Sequence, residues 1–313
     1  MLLLALLAAL QTDTRTVHRE LAWNPGTVIK VSNQYGNLTV QGWTDDRAVF
    51  DAVIRATAQD ASVASRLSRA VQLLVSRQAE TLCIQTVSPS ETPEDCGYEV
   101  HLRLGVPDEA RLVAANSFGD VELAGIQGGC LVTNRFGDVT MHGCRDCDVT
   151  SRYGNVQVNE QSGTLAVRNS YGNVLLDGVD AQATVDNRFG DVNAQGLAGI
   201  IALNNELGRV MARAAAGQLS VENHYGDVTA WVEDSGLSNL DVVSELGRVE
   251  LFLEQMLPFR LGARTVHGKV QSELPLLVKT YGQTASGSQG EGGTRINLEG
   301  DGADIVIQQQ NKE

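Results

Sequence analysis

One short phrase returns along this chain at a nearly constant interval, and it restricts the fold more than any other feature. It reads NSFGDV from Asn116, NRFGDV from Asn134, SRYGNV from Ser151, NSYGNV from Asn169 and NRFGDV from Asn187. Looser copies follow as NELGRV from Asn205, NHYGDV from Asn223, SELGRV from Ser244 and TVHGKV from Thr265, and an outlying NQYGNL starts at Asn33. The central glycines from Gly119 to Gly226 are spaced 18, 17, 18, 18, 18 and 18 residues apart, and Gly247 and Gly268 follow at intervals of 21. A fixed period of this length marks a stack of similar units.

Counted from each repeat glycine, the side chains fall into columns. Five residues before it stand Val132, Val149, Val167, Val185, Leu203, Val221 and Val242. Two after it stand Val121, Val139, Val156, Val174, Val192, Val210 and Val228. Further apolar columns lie seven before and four after, and the residues between are mostly polar. Alternation with a period of two predicts strands with one buried face. Each coil therefore holds two short strands around the glycine turn, and a second turn that often carries Gly125, Gly143, Gly178 or Gly196. No coil hides its apolar face alone, so coils stack at about 4.8 Å and share one core. The fold class expected is all-β, a single-stranded parallel β-helix or β-solenoid with coils of about 18 residues.

The turn has its own logic. Glycine accepts positive φ without steric cost. The Asn column at Asn116, Asn134, Asn169, Asn187, Asn205 and Asn223 is expected to point inward as an amide ladder that satisfies turn backbone groups. Arg188 with Asp191, Glu206 with Arg209 and Glu245 with Arg248 swap sign together, as does Arg135 with Asp138. This predicts a charge pair within each turn, worth about 0–1 kcal/mol.

Residues 12–43 read as N-terminal strands and a first coil, 44–110 as a small α/β insertion capping the solenoid, 111–308 as the solenoid and 309–313 as a tail. Within the insertion, DASVASRLSRAV predicts a short helix capped by Asp60 or Ser62. Exposed solenoid ends are sheet edges and need such cover. GQTASGSQGEGGTR reads as a flexible loop before the last strands.

The opening MLLLALLAALQ is apolar and too short to span a bilayer as a helix. Residues 1–11 resemble a secretory signal segment, which predicts export to the periplasm or cell surface. With 38 acidic against 24 basic side chains the net charge is −14. That argues against nucleic acid as a partner, which needs a basic footprint. No transmembrane span is expected in the mature chain, no GxSxG, HExxH or Walker-type loop occurs, and no cofactor is expected.

NQYGNLTVQGW, LRLGVPDEARLVAANSFGDVEL and the serial GDV coils ending in GADIVI resemble the bacterial families described as putative adhesins, of unknown function. The resemblance covers about residues 16–308. It implies a β-helical fold and an exported or envelope-associated protein, and it carries over no catalytic residue.

Candidate chemistry remains open at several positions. Cys130 and Cys147 share an inward column on adjacent coils, and Cys83 and Cys96 sit on consecutive predicted strands. Each pair is a disulfide candidate, the alternative being small buried hydrophobes. Cys144 reads as a buried thiol. His142, Cys144, Cys147 and Cys130 hint at zinc, though alternation turns His142 away from the others. Asp120 and Asp138 are candidate calcium ligands, or an acid/base pair. The drift of their column to Arg209 and Arg248 favours turn chemistry. Phe136, Tyr153, Tyr171 and Phe189 are read either as core corner packing or as an exposed stacking platform for sugars or a partner chain.

The function expected is non-enzymatic. An exported envelope protein would present its solenoid to a protein or glycan. The alternatives are a carbohydrate-active β-helix enzyme and a structural envelope-stress accessory protein.

Overall fold

A computed structural model describes residues 10–92 and 95–310. Most of the signal-like segment and the last three residues of the tail lie outside this range. The chain folds as an all-β parallel solenoid that divides into two compact units, residues 1–137 and 138–313.

In the first unit, the coil made of Val28–Tyr35 and Leu38–Trp43 has parallel neighbours on both sides. On one side lie Leu112–Phe118 and Val121–Ala124, with Cys130–Phe136 next in line. On the other lie Thr81–Val87 and Gly97–Pro107, from the 44–110 segment. Ile29 thus stacks between Leu82 and Leu112, and Leu38 between Leu102 and Val121, all of them buried. The elaboration therefore does more than lie over the stack. It supplies a complete coil, so that the first coil in sequence becomes the second in space.

Antiparallel strands finish that end. Arg47–Ala58 pairs with Gly97–Pro107, Gln11–Ala22 pairs with Arg47–Ala58, and Gln72–Gln78 pairs with Thr81–Val87. Arg47–Ala58 buries Ala48, Phe50, Ala52, Ile54, Ala56 and Ala58 in strict alternation, the signature of a one-sided strand. The helix Ala61–Ala70 packs on the two outer strands. Its N-cap is Asp60, whose Oδ1 accepts the Ser62 N–H at 2.7 Å, settling the choice between Asp60 and Ser62.

In the second unit the repeats stack in register. Val156, Val174, Val192, Val210 and Val228 form one file. Val149, Val167, Val185, Leu203, Val221 and Val242 form another. Every member is buried, and each side chain contributes roughly 1.5–3 kcal/mol on transfer from water. The file of Leu176, Ala194, Ala212 and Ala230 is buried throughout and loses side-chain volume after its first member.

The far end repeats the permutation. Val228–Glu254 pairs in parallel with Thr294–Asp301 and Ala303–Gln310, and those strands pair in turn with Phe259–Val266 and Val270–Ser272. The last coil in sequence therefore lies inside the one before it. Gln309 and Gln310 belong to its strand, opposite Leu253 and Glu254, and not to a tail. The expected Gly/Ser loop is corrected as well. Thr284–Gln289 is a strand, antiparallel to Phe259–Val266 and to Leu277–Lys279. Its small residues lie against the outermost coil, with Ala285 buried opposite Ala263. An open edge outweighs weak strand propensity here.

Candidate functional site

The repeated corner is where the residues with chemical potential meet. Its asparagines point inward and are buried. The Asn134 amide donates to the carbonyls of Gly137 (2.8 Å) and Gly119 (3.1 Å), binding its own turn and the preceding one. Asn223 does the same with Gly226 (2.9 Å) and Gly208 (3.1 Å). The amide column meets backbone acceptors that burial would otherwise leave unpaired.

The glycines are required twice over. Gly190 has φ +133°, and a Cβ there would lie 2.2 Å from the Gly172 carbonyl oxygen. Positive φ alone suggests a turn glycine, while the second requirement comes from the neighbouring coil.

The residue after glycine holds the backbone of the next coil. Asp138 Oδ1 accepts the Asn155 N–H at 2.7 Å, Asn155 Oδ1 accepts that of Asn173 at 2.9 Å, and Asn173 Oδ1 accepts that of Asp191 at 2.8 Å. Asp191 Oδ1 then accepts the Arg209 N–H at 2.8 Å. In the first unit Asn37 Oδ1 holds the Asp120 N–H at 3.0 Å. Asp and Asn are interchangeable because each places a side-chain acceptor oxygen, Oδ1, at this point. Among the described residues no group of three or more His, Cys, Asp or Glu side chains is placed to hold a metal ion. At the second turn Asp146 Oδ1 accepts from the N–H and hydroxyl of Thr164, chiefly the N–H, which holds the Asp146 carboxyl below its ordinary range.

For Arg188 and Glu245 the pairing expected within a turn gives way to contacts between coils. Arg188 bonds Glu206 at 2.8 Å and Glu245 lies 3.1 Å from His224, each reaching the adjacent coil, while Arg248 lies 3.0 Å from Glu250 on its own strand. Like positions of adjacent coils are one strand spacing apart, closer than opposite shoulders of a turn.

The aromatic column is not core. Tyr171 and Phe118 are 42% and 38% exposed. In the first unit Tyr35, Phe118 and Phe136 stack with centroids 5.1 and 4.8 Å apart. In the second, Tyr153, Tyr171 and Phe189 stack at 4.9 Å, within 11° of parallel. Each ring covers the face of its neighbour, so edges and tyrosine hydroxyls meet solvent. A sugar stacks on a ring face, which this geometry withholds along most of the column. Arginines cover the flank, with Arg152 5.3 Å from the Tyr153 centroid and Arg188 5.1 Å from that of Phe189.

Cys130 is disulfide-bonded, as is Cys147, whereas Cys83, Cys96 and Cys144 are in no disulfide. The expected Cys83–Cys96 bond is therefore not formed. Cys83 lies on Thr81–Val87, whose neighbours are Val28–Tyr35 and Gln72–Gln78, while Cys96 precedes Gly97–Pro107, which pairs with other strands. Consecutive strands here belong to opposite sides of a coil. Oxidised Cys130 and Cys147 offer no thiolate for zinc, Cys144 is buried, and His142 faces Glu160 at 3.5 Å.

The sequence reading did not single out an acidic recess beside the corner in the second unit. It has a volume of about 510 Å³, lined by Asp186, Glu206, Glu222, His224, Tyr225 and Glu245 among others. Its signal lay in the outward positions two and four before each glycine.

Comparisons with known proteins set the chain beside several solved structures and one family. Solved structures that the chain is similar to include a putative adhesin from Parabacteroides distasonis ATCC 8503, at 10% identity over 95% of this chain and 98% of that one, with a TM-score of 0.43. Another is a putative adhesin from Bacteroides fragilis NCTC 9343, at 12% identity over 95% and 97%, with a TM-score of 0.31. A third is a putative lipid binding protein from Parabacteroides distasonis ATCC 8503, at 9% identity over 96% of each chain, with a TM-score of 0.32. No curated protein matches. The pattern of one family, Toastrack DUF4097, matches residues 108–308, which is more than half of the 313 residues. The chain belongs to the Toastrack DUF4097 family.

Proposed function

We propose that this protein is a non-enzymatic component of the bacterial cell envelope, exported from the cytoplasm, whose solenoid is an interaction surface. One observation carries the reading. The polar residues of the repeat that have catalytic or metal-binding potential are spent on the turn, with the Asn column on backbone carbonyls and the Asp/Asn column on backbone N–H groups. The outward columns are left as a regular exposed relief, which is what binding surfaces of stacked repeats use. The disulfide-bonded cysteines support an oxidising compartment. The names of similar structures, adhesins among them, agree with an envelope role.

The test has two arms. Fractionation of the producing cell should place the mature chain outside the cytoplasm. Capture with the purified protein from an envelope extract, together with a glycan array, should yield a ligand that leaves when the exposed Tyr171 and Tyr225 are replaced by Ala. Recovery in the cytoplasm, or turnover of a polysaccharide by the purified chain, would overturn the reading.

A further inference from the structure

The second unit carries an unbroken apolar ridge along its outer corner. Tyr153, Tyr171, Phe189, Leu207, Tyr225 and Leu246 follow one another in register on six successive coils. Tyr171, Leu207, Tyr225 and Leu246 are 38–48% exposed. Five spacings near 4.9 Å give a strip about 25 Å long. Scattered exposed apolar residues are ordinary, but a continuous file rimmed by charge marks a place where another molecule sits.

The charges along the ridge specify what that molecule is. On the side before the turn the column runs Arg152, Ser170, Arg188, Glu206, His224, Glu245, positive in its first half and acidic in its second. On the side after the turn the net polarity is reversed, with Asp191 in the first half and, in the second, Arg209 and Arg248 against the single Asp227. A strip with this pattern complements itself. If a second copy is turned end for end about a two-fold axis across the ridge, Arg188 of each copy meets Glu206 of the other, and Arg152 meets Glu245. Asp191 meets Arg209 by the same operation. The acidic recess then receives the arginine-bearing half of the opposite ridge, since both lie on the side before the turn.

We propose that this ridge is the docking surface for a second copy of the same chain, packed antiparallel through a two-fold axis between the coils of Phe189 and Leu207. The proposal deepens the interaction-surface reading and rests on it, naming one partner of that surface. The strip lies at the small end of specific interfaces, so the dimer dissociates in the micromolar range. Charge sets orientation and salt dependence more than affinity.

Sedimentation velocity on the full chain tests this. At low salt the wild type should show a monomer–dimer equilibrium below about 100 μM, at least about tenfold weaker in 0.5 M salt. Arg188→Glu and Glu206→Arg should each weaken it by about tenfold or more, while circular dichroism shows an unchanged fold. Mixing the two variants should restore a heterodimer, because only the mixture places opposite charges across the two-fold axis. Leu207→Asp, at the centre of the ridge, should also yield monomer. A wild type monomeric throughout this range, a dimer indifferent to the single reversals, or a mixture that stays monomeric would each overturn the proposal. A monomer that still captures an envelope ligand would sink the dimer alone, and a dimer recovered from the cytoplasm would sink the envelope reading alone.

Discussion

The side-chain amide of Asn187 donates to Oδ1 of Asn205 one coil away at 3.0 Å, and Asn205 donates in turn to Oδ1 of Asn223 at 3.2 Å. Asn205 is thus acceptor and donor in a buried relay. Asn205→Ala strands a group on each side, and such losses cost about 1–3 kcal/mol apiece. Denaturant unfolding should show a destabilisation of about 2–4 kcal/mol for this variant. Asn205→Ser should lose less, because Ser151 and Ser244 already occupy the same buried position in other coils. A loss below about 0.5 kcal/mol for the Ala variant would mean that the relay holds nothing.

Two glycines separate backbone strain from crowding. Gly143 has φ +59° and no atom within 4 Å of an added Cβ, whereas Gly190 combines φ +133° with a carbonyl oxygen at 2.2 Å. Gly143→Ala should cost about 1–2 kcal/mol for the left-handed conformation alone. Gly190→Ala should cost about 3 kcal/mol or more, since neighbouring coils must part. Equal melting temperatures for the two variants would contradict a glycine column selected by stacking.

His18 supplies a pH dependence. Its hydrogen bond to Asp51, at 2.7 Å, is the main cause that raises its pKa above the ordinary value. A folded pKa above the unfolded one favours folding fully below the unfolded value, and that contribution disappears as pH rises through the folded value. The wild type should therefore exceed His18→Gln in melting temperature near pH 5.5, and the gap should close by pH 8.5. A gap that widens with rising pH would reverse the assignment.

Thiol titration in denaturant without reductant should count three free thiols among the five cysteines, and five after reduction. Five before reduction would remove the disulfide and with it a support for the oxidising compartment.

The sequence was most readable where a residue answers to its counterpart one coil away. Val185 and Leu203 occupy one file because parallel stacking puts like above like, so the core follows from period and alternation. The inward asparagines follow for the same reason. The partner of Arg188 did not, since Asp191 and Glu206 are both plausible by spacing and only the coil separation decides for Glu206. The aromatic column was ambiguous because ring type does not say which way a corner faces. The Asp column was legible as turn chemistry from its drift to Arg, though not as acceptors for the next coil's N–H groups. Least legible were the ends. Nothing local in Leu82 or Ile296 says that its coil skips a place, because parallel pairing has no short turn to fix its order.

The transposed coils have an evolutionary corollary. At the C-terminal end a late segment is wedged between earlier ones, and Thr294–Asp301 already has a parallel neighbour on each side, so that strand has no free edge for a further coil. A gene that lengthens this stack does so by duplicating eighteen-codon modules between Val156 and Val228, where the valine file returns at every coil.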